Sequence, residues 1–170
     1  MEILTEIKDA NYPEDMSGIF MREAARIIAI DADQNIALIY VGSEDYYKLP
    51  GGGIEKGEDV KEALKRELRE ETGSEVQVTD EVGQISEYRS KRSMAQTSYC
   101  YLGEVTSKGV TFFTETEKAR KSELVWLGLE EAVKRFESSK PQSYESGFII
   151  QRDLAFLKKA KEIISQKFSR

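Results

Sequence analysis

The chain has 170 residues, of which 33% are charged and 39% are hydrophobic, and its net charge at pH 7 is −6. This size and composition suit one globular domain with a hydrophobic core, and the acidic balance argues against non-specific nucleic-acid binding, which needs a basic surface. Because the sequence has no histidine and one cysteine, it excludes zinc–histidine sites, serine–histidine catalysis and an intrachain disulfide. We identify no signal peptide and no apolar run long enough to span a membrane, and therefore expect a cytoplasmic protein.

Two nearly continuous apolar runs open the regular part of the chain. Residues 24–30 and 36–41 are joined by a polar turn, which predicts a strand hairpin with both sheet faces covered. Arg26 interrupts the first run, either because it lies at an edge or because it contacts a substrate phosphate. Tyr47 precedes a glycine-rich loop, and we include it among the candidate substrate-binding residues.

A proline and three glycines then separate the strands from a highly charged segment. Pro50 cannot donate to a strand ladder, and the glycines after it allow the backbone to approach a ligand closely. Good helix formers fill residues 60–72, so we predict a helix that begins after Glu58 or Asp59 and ends at Gly73.

Three glutamates occupy unusual positions on this predicted helix. At 3.6 residues per turn, Glu67 and Glu71 fall on the apolar packing stripe, and Glu70 lies at its edge. Carboxylates gathered on a partly buried face repel each other unless a cation neutralises them. Oxygen ligands without His or Cys suit Mg²⁺ or Mn²⁺. The alternative is a solvated helix with ion pairs, because Glu62, Arg66 and Glu70 form an i, i+4 ladder.

The second half of the chain predicts more strands and two helices. Residues 75–78 alternate like a strand, and residues 83–88 and 97–105 predict a second hairpin. Its connector contains Arg89, Lys91 and Arg92, which either form a solvated loop or contact a substrate phosphate. We place Arg89 and Arg92 among the candidate substrate-binding residues.

Apolar spacing in the C-terminal part indicates helices at residues 129–136 and at about 147–168. The long apolar stripe of the last helix suits packing on the domain or a homodimer surface, and the sequence leaves both open. We expect one domain over residues 1–170.

The residues around the charged helix resemble the Nudix box, the signature of the Nudix hydrolase family. Of nine defined positions across residues 52–74, eight match, and the last is Ser74 where the family usually has an aliphatic residue. The matching positions are Gly52, Glu58, Arg66, Glu67, Leu68, Glu70, Glu71 and Gly73.

The resemblance implies an α/β fold, namely a Nudix-type α/β/α sandwich with a mixed, curved sheet. It also implies catalytic glutamates that bind a divalent metal together with a backbone carbonyl: Glu67, Glu70, Glu71 and Gly52. Glu58 would support the metal cluster, and Arg66 would orient the glutamates.

Many family members have a further catalytic or metal-binding glutamate outside the box, before a strand that contains tryptophan. Here Glu115, Glu117 and Glu123 precede Trp126. We expect Glu123 to fill this role, because its spacing from Trp126 fits the family pattern best.

The implied activity is metal-dependent hydrolysis of a diphosphate linkage in a nucleoside diphosphate compound, a small-molecule substrate. Our specific expectation is a nucleoside triphosphate pyrophosphatase, for example one that acts on 8-oxo-dGTP. ADP-ribose, a nucleotide sugar or a diadenosine polyphosphate are alternative substrates. A non-catalytic nucleotide sensor is a different class of function, but such proteins usually lose the box glutamates that this chain retains.

Overall fold

The computed structural model of the chain describes residues 1–12, 15 and 17–168, without the side chain of Phe168. No helix in these ranges is long and apolar enough to cross a membrane. The elements follow in the order β1 (Ile3–Lys8), β2 (Phe20–Ile30), β3 (Asn35–Val41), β4 (Tyr46–Lys48), β5 (Gly51–Gly53), α1 (Val60–Thr72), β6 (Glu75–Arg89), a short 3₁₀ helix (Ser90–Arg92), β7 (Met94–Ser107), α2 (Glu115–Ala119), β8 (Ser122–Gly128), α3 (Leu129–Ser138) and α4 (Tyr144–Phe168).

The strands form one mixed, eight-stranded sheet in the order β1-β6-β7-β2-β3-β4, with β5 paired to β2 and β8 to β3. β1 runs parallel to β6 and β7 runs parallel to β2, whereas the other pairs are antiparallel. β2 and β3 pair only at Ile30 and Ile36. The hairpin predicted from the sequence therefore forms only at its turn, because β4 and β5 pair with β3 and β2 beyond it.

Side-chain alternation along the strands separates two apolar cores. On one face of the sheet, Ala25, Ile27 and Ala29 of β2 pack with Leu64 and Leu68 of α1. On the other face, the core contains residues of β2, β3, α3 and α4: Ile28, Leu38, Phe136, Phe156 and Leu157. We call these the α1 face and the α3/α4 face. The α/β sandwich that the resemblance implied is confirmed.

The boundaries of α1 agree with the sequence prediction. The side chain of Asp59 accepts hydrogen bonds from the backbone amides of Lys61 and Glu62, and Glu62 accepts from the amide of Asp59 in return. This capping box satisfies donors that the first helical turn leaves unpaired. Gly73 ends the helix with a φ of 64°, in the left-handed region that glycine adopts without strain.

Other boundaries differ from the sequence prediction for local reasons. β6 is one strand across residues 75–89. Its pairing with β7 continues, with register shifts, through the polar residues that separated two strands in the sequence prediction. α4 begins at Tyr144, ahead of the predicted start near residue 147. The short helix α2 was not predicted.

Candidate active site

Two glutamates of α1 pack directly against the glycine strand β5. Glu71 is buried, and its Oε2 accepts a hydrogen bond of 2.7 Å from the backbone amide of Gly51. A Cβ atom at Gly52 would lie 2.1 Å from Oε1 of Glu67, so a side chain there would displace the Glu67 carboxylate. The glycines thus allow the β5 backbone to lie against the carboxylates of α1.

Arg66 holds this loop to the helix through several contacts. Its guanidinium donates to both carboxylate oxygens of Glu58 at 2.8 and 2.9 Å, to Glu67 Oε1 at 2.7 Å and to the carbonyl of Gly53 at 2.9 Å. The hydrogen bonds from Arg66 lower the pKa of Glu58 to about 2. Oε2 of Glu70 lies 4.0 Å from Nη1 of Arg66. The predicted i, i+4 ladder forms only in part, because Glu62 caps the helix.

A fourth carboxylate, Glu117 of α2, joins the site. Glu117 and Glu71 face the same cation, because Oε1 of each lies within 3.9 Å of the Nζ atom of Lys48. Oε2 of Glu117 accepts a hydrogen bond of 2.8 Å from the backbone amide of Thr114, as part of the capping box that begins α2. The Thr-x-x-Glu spacing at 114–117 was a readable sequence signal for this short helix. We call Glu67, Glu70, Glu71 and Glu117 the glutamate cluster.

The glutamate outside the box was predicted to be Glu123, but the structure places Glu117 in the cluster instead. Glu123 is exposed on β8 in register with Tyr40 of β3. Its neighbours Leu124 and Trp126 pack on the α1 face, whereas Val125 and Leu127 pack on the α3/α4 face. Alternation therefore directs Glu123 away from α1.

The electrostatics of the cluster favour a cation. Burial raises the pKa of Glu70, and the nearby charge of Glu67 adds to this effect. Burial also raises the pKa of Glu71 to about 6, although Lys48 opposes the shift. The Nζ atom of Lys48 lies 2.6 Å from Oε1 of Glu71 and 3.9 Å from Oε1 of Glu117. Burial thus disfavours the ionised forms of Glu70 and Glu71, and a cation bound beside them would stabilise those forms.

The donor set fits Mg²⁺ or Mn²⁺, because it consists of carboxylate oxygens and the backbone of a glycine strand. As the side chains stand, no three acidic groups in the described ranges converge on a single point. Lys48 and Arg66 instead contact Glu71 and Glu67. Of the two Glu67 oxygens, Arg66 contacts Oε1, whereas both oxygens of Glu71 accept hydrogen bonds, Oε1 from Lys48 and Oε2 from the Gly51 amide.

Two arginines of β2 lie on the other side of β5. Arg22 and Arg26 point from β2 to the α3/α4 face, and Arg26 is in register with Gly51. The Arg22 guanidinium lies close to Gly53, where an added Cβ would be 2.8 Å from Nη2. Burial lowers the pKa of both arginines, that of Arg26 to about 10. The sequence analysis did not include Arg22 among the candidate substrate-binding residues, although Arg22 shares a strand face with Arg26.

A buried network connects these arginines to β6, β7 and α4. Glu87 accepts hydrogen bonds from Arg89 at 2.8 Å, from Gln96 at 2.8 Å and from Arg152 at 3.2 Å. Gln96 in turn accepts from Arg22 at 2.9 Å. We call this set the arginine network: Arg22, Arg26, Arg89 and Arg152 with Glu87, Gln96, Ser98 and Asp153. Within the described residues, the buried Nε atoms of Arg26 and Arg89 have no hydrogen-bond partner.

The remaining predicted substrate-binding residues lie elsewhere. Tyr47 packs on the rings of Tyr40 and Phe136, and it lines a cavity of about 270 Å³ beside α3. Its neighbour Lys48 points to the opposite side, toward Glu71, so alternation separates Tyr47 from the cluster. Arg92 is largely exposed and forms a salt bridge with Glu145 of α4.

Comparison with known proteins identifies the fold and the family. A family model described as the NUDIX domain matches residues 21–146, most of the chain. The chain belongs to the Nudix hydrolase family. The family predicted from the sequence is confirmed, and the expected enzyme class, a hydrolase of diphosphate bonds, agrees with it. The matched range contains α1, β5, α2 and three of the four network arginines, and ends just inside α4.

Solved Nudix structures resemble the chain in fold. A NUDIX hydrolase from Nitrosomonas europaea aligns with a TM-score of 0.63 and 16% identity, covering 83% of this chain and 88% of that one. A MutT protein from Methanosarcina mazei Go1 aligns with a TM-score of 0.58 and 17% identity, covering 85% and 96%.

Curated relatives match over shorter segments. An RNA pyrophosphohydrolase of a Nitratiruptor species is 39% identical over 61 residues, which is 35% of this chain and 39% of that protein. One from Campylobacter jejuni subsp. doylei is 37% identical over 75 residues, 44% of this chain and 42% of that protein. The chain thus spans less than half of the length of these relatives.

Proposed function

We propose that this Nudix protein is a divalent-metal-dependent hydrolase of a diphosphate linkage attached to a nucleoside. The observation that carries the proposal is the glutamate cluster, in which Glu67 and Glu71 pack against the glycine strand β5 and Glu70 and Glu117 lie beside them. Glu67, Glu70, Glu71 and the Gly52 carbonyl would hold Mg²⁺ or Mn²⁺. An ion bound there would lower the pKa of a coordinated water molecule and neutralise phosphate oxygens.

The chain's own residues would position the reactants. Arg66 holds Glu58 and Glu67 in fixed orientations. Glu117 is placed to accept a proton from the attacking water, because its carboxylate lies beside Lys48 and Glu71 at the cluster. Its Oε2 is held by Thr114, whereas its Oε1 faces Lys48 and the cluster. Glu117 thus takes the role that the sequence suggested for Glu123.

The arginine network would bind a substrate phosphate next to the cluster. It contains four arginines against the carboxylates of Glu87 and Asp153, so its charge is positive. Buried cations need an anionic partner, and the buried Nε atoms of Arg26 and Arg89 have no hydrogen-bond partner among the described residues. Arg22 lies beside the cluster. Its guanidinium is close to Gly53, and the charge of Glu67 opposes the lowering of the Arg22 pKa by burial.

Replacing Arg22 by Gln should raise the KM for the substrate by roughly 10- to 100-fold, because one charge-assisted hydrogen bond is lost. The affinity for Mn²⁺ should remain close to the wild-type value, since Arg22 contacts no carboxylate of the cluster in the described residues. Steady-state kinetics and a Mn²⁺ titration measure the two effects. Arg69→Gln, on the exposed part of α1, is the control and should change neither value. An unchanged KM in Arg22→Gln would contradict the assignment.

The nature of the nucleoside group separates two substrate candidates. A nucleoside triphosphate such as 8-oxo-dGTP remains our expectation for a small-molecule substrate. The 5′ end of an RNA is the second candidate, and it is favoured by the name RNA pyrophosphohydrolase of both curated relatives. An RNA substrate would run against the expectation that the protein has no nucleic-acid partner.

A substrate panel tests the proposal directly. The panel contains nucleoside triphosphates, 8-oxo-dGTP, ADP-ribose, a nucleotide sugar, a diadenosine polyphosphate and 5′-triphosphorylated RNA, each with Mg²⁺ and with excess EDTA. We expect hydrolysis of at least one compound with Mg²⁺ and none with EDTA, because the carboxylates alone do not neutralise a leaving phosphate. Chromatography of the products identifies the bond that is cleaved. Full activity in EDTA, or no activity on any compound, would contradict the proposal.

A further inference from the structure

Lys48 lies between a proposed metal ligand, Glu71, and the proposed proton acceptor, Glu117. It follows Tyr47 in β4 and points toward α1, with its side chain 20% exposed. Its Nζ atom lies 2.6 Å from Oε1 of Glu71 and 3.9 Å from Oε1 of Glu117. The ammonium group therefore neutralises the most deeply buried carboxylate of the glutamate cluster and faces Glu117 of α2.

The two cations of the site differ in how firmly they are held. Arg66 is held by hydrogen bonds to Glu58 and to the Gly53 carbonyl, and both of these partners lie outside the glutamate cluster. The described ion pairs of Lys48 are both with cluster carboxylates. A lysine ammonium is a point charge on a flexible four-carbon chain, so it can turn away toward solvent without breaking a planar, bidentate pair.

We propose that Lys48 competes with the divalent cation for Glu71, so that metal binding requires Lys48 to leave its position between Glu71 and Glu117. This inference rests on the proposed function. Two cations a few ångströms apart in a partly buried site repel strongly, and Glu71 Oε1 accepts from Lys48 on the side that faces Glu117. Lys48 thereby sets the metal affinity of the site, and it holds the buried Glu71 in place by supplying its counter-charge.

Lys48→Met tests the competition, because methionine has a similar length without the charge. We expect Lys48→Met to bind Mn²⁺ with a dissociation constant at least about tenfold lower than that of the wild type, since no cation opposes the ion. The free Mn²⁺ signal in electron paramagnetic resonance titrations gives this constant without any assay of activity. Lys48→Arg keeps the positive charge, so its dissociation constant should lie within about threefold of the wild-type value or above it.

Lys61→Met is the matched control for the loss of one positive charge. Lys61 is exposed on α1, where it has no ion pair within the described part of the chain, and it lies on the flank opposite the glutamates. Its charge is screened by solvent and salt, so its removal should change the dissociation constant by less than about threefold. An equal gain in Lys48→Met and Lys61→Met would overturn the proposal, because a general charge effect would then explain both.

Thermal melts with and without Mn²⁺ guard against a folding defect. Lys48→Met leaves Glu71 without its cation, so we expect its Tm to fall in EDTA and to rise more with Mn²⁺ than the wild-type Tm does. Equal or weaker Mn²⁺ binding by folded Lys48→Met would overturn this inference alone. Failure of every variant and of the wild type to bind Mn²⁺ would overturn the proposed function with it.

Discussion

Replacing Glu70 by Gln is expected to lower the rate of diphosphate hydrolysis by at least about 100-fold, because one charged metal ligand is lost and even the outer partners of such ligands are worth roughly 10- to 100-fold. The fold should remain intact, since the Glu70 side chain is 41% exposed and its described ion pair, with Arg66, spans 4.0 Å. The measurement is kcat with the substrate found in the panel, together with the Mn²⁺ dissociation constant and the Tm. We expect a lower kcat, weaker Mn²⁺ binding and an unchanged Tm.

Glu75→Gln provides the control for this substitution. Glu75 lies just after α1 and makes an exposed pair with Arg69 at 3.5 Å, so the change removes the same charge at a short distance in sequence. Its activity should match that of the wild type, because exposed pairs contribute little. Wild-type activity in Glu70→Gln would contradict the metal assignment, whereas reduced activity in both variants would point to the loss of negative charge in general.

The sequence was sufficient for the parts of the site that depend on local spacing. Helix α1 begins after Asp59 and ends at Gly73, as its capping residues predicted. The positions of Glu67 and Glu71 on the packing stripe also follow from helical geometry alone. In the structure these two carboxylates lie against β5, with Glu71 bonded to the Gly51 amide.

Positions set by tertiary pairing were not predictable in this way. Glu123 was preferred over Glu117 by its spacing from Trp126, but spacing does not say which sheet face a residue occupies. That depends on the register of β8 against β3, where Glu123 is opposite Tyr40. Glu117 reaches the cluster through a loop in which the Phe112 amide donates to the carbonyl of Glu70. No local pattern contains such a contact.

The arginine network illustrates the same limit. Arg89 was placed in a connector that is either a solvated loop or a phosphate contact, but it ends β6 and is buried, with its guanidinium 5.2 Å from the ring centre of Phe148. Its partner Glu87 also contacts Arg152, which is distant in sequence. Charged residues are normally exposed, so only the assembled fold reveals that they compensate each other in the interior.

Replacing Glu87 by Ala should destabilise the protein by about 3–5 kcal/mol, because the change leaves buried cations without their counter-charge. Glu87 is fully buried and pairs with Arg89 at 2.8 Å and with Arg152 at 3.2 Å. Urea unfolding of the wild type and the variant gives the difference in the free energy of unfolding. Glu130→Ala is the control, since its exposed pair with Lys161 should contribute less than about 1 kcal/mol.

The pH dependence of this difference separates a charge effect from a loss of packing. Burial alone would raise the pKa of Glu87, but Arg152 and Arg89 outweigh it and hold the pKa at about 2, below the ordinary value of 4.5. A carboxylate whose pKa is lowered by folding stabilises the protein fully above its unfolded-state pKa. Its contribution then declines as the pH falls from 4.5 toward 2. The stabilities of the wild type and Glu87→Ala should therefore differ most near neutral pH and converge in acid. A constant difference across this range would indicate that the lost packing of the Glu87 side chain, rather than its charge, stabilises the sheet.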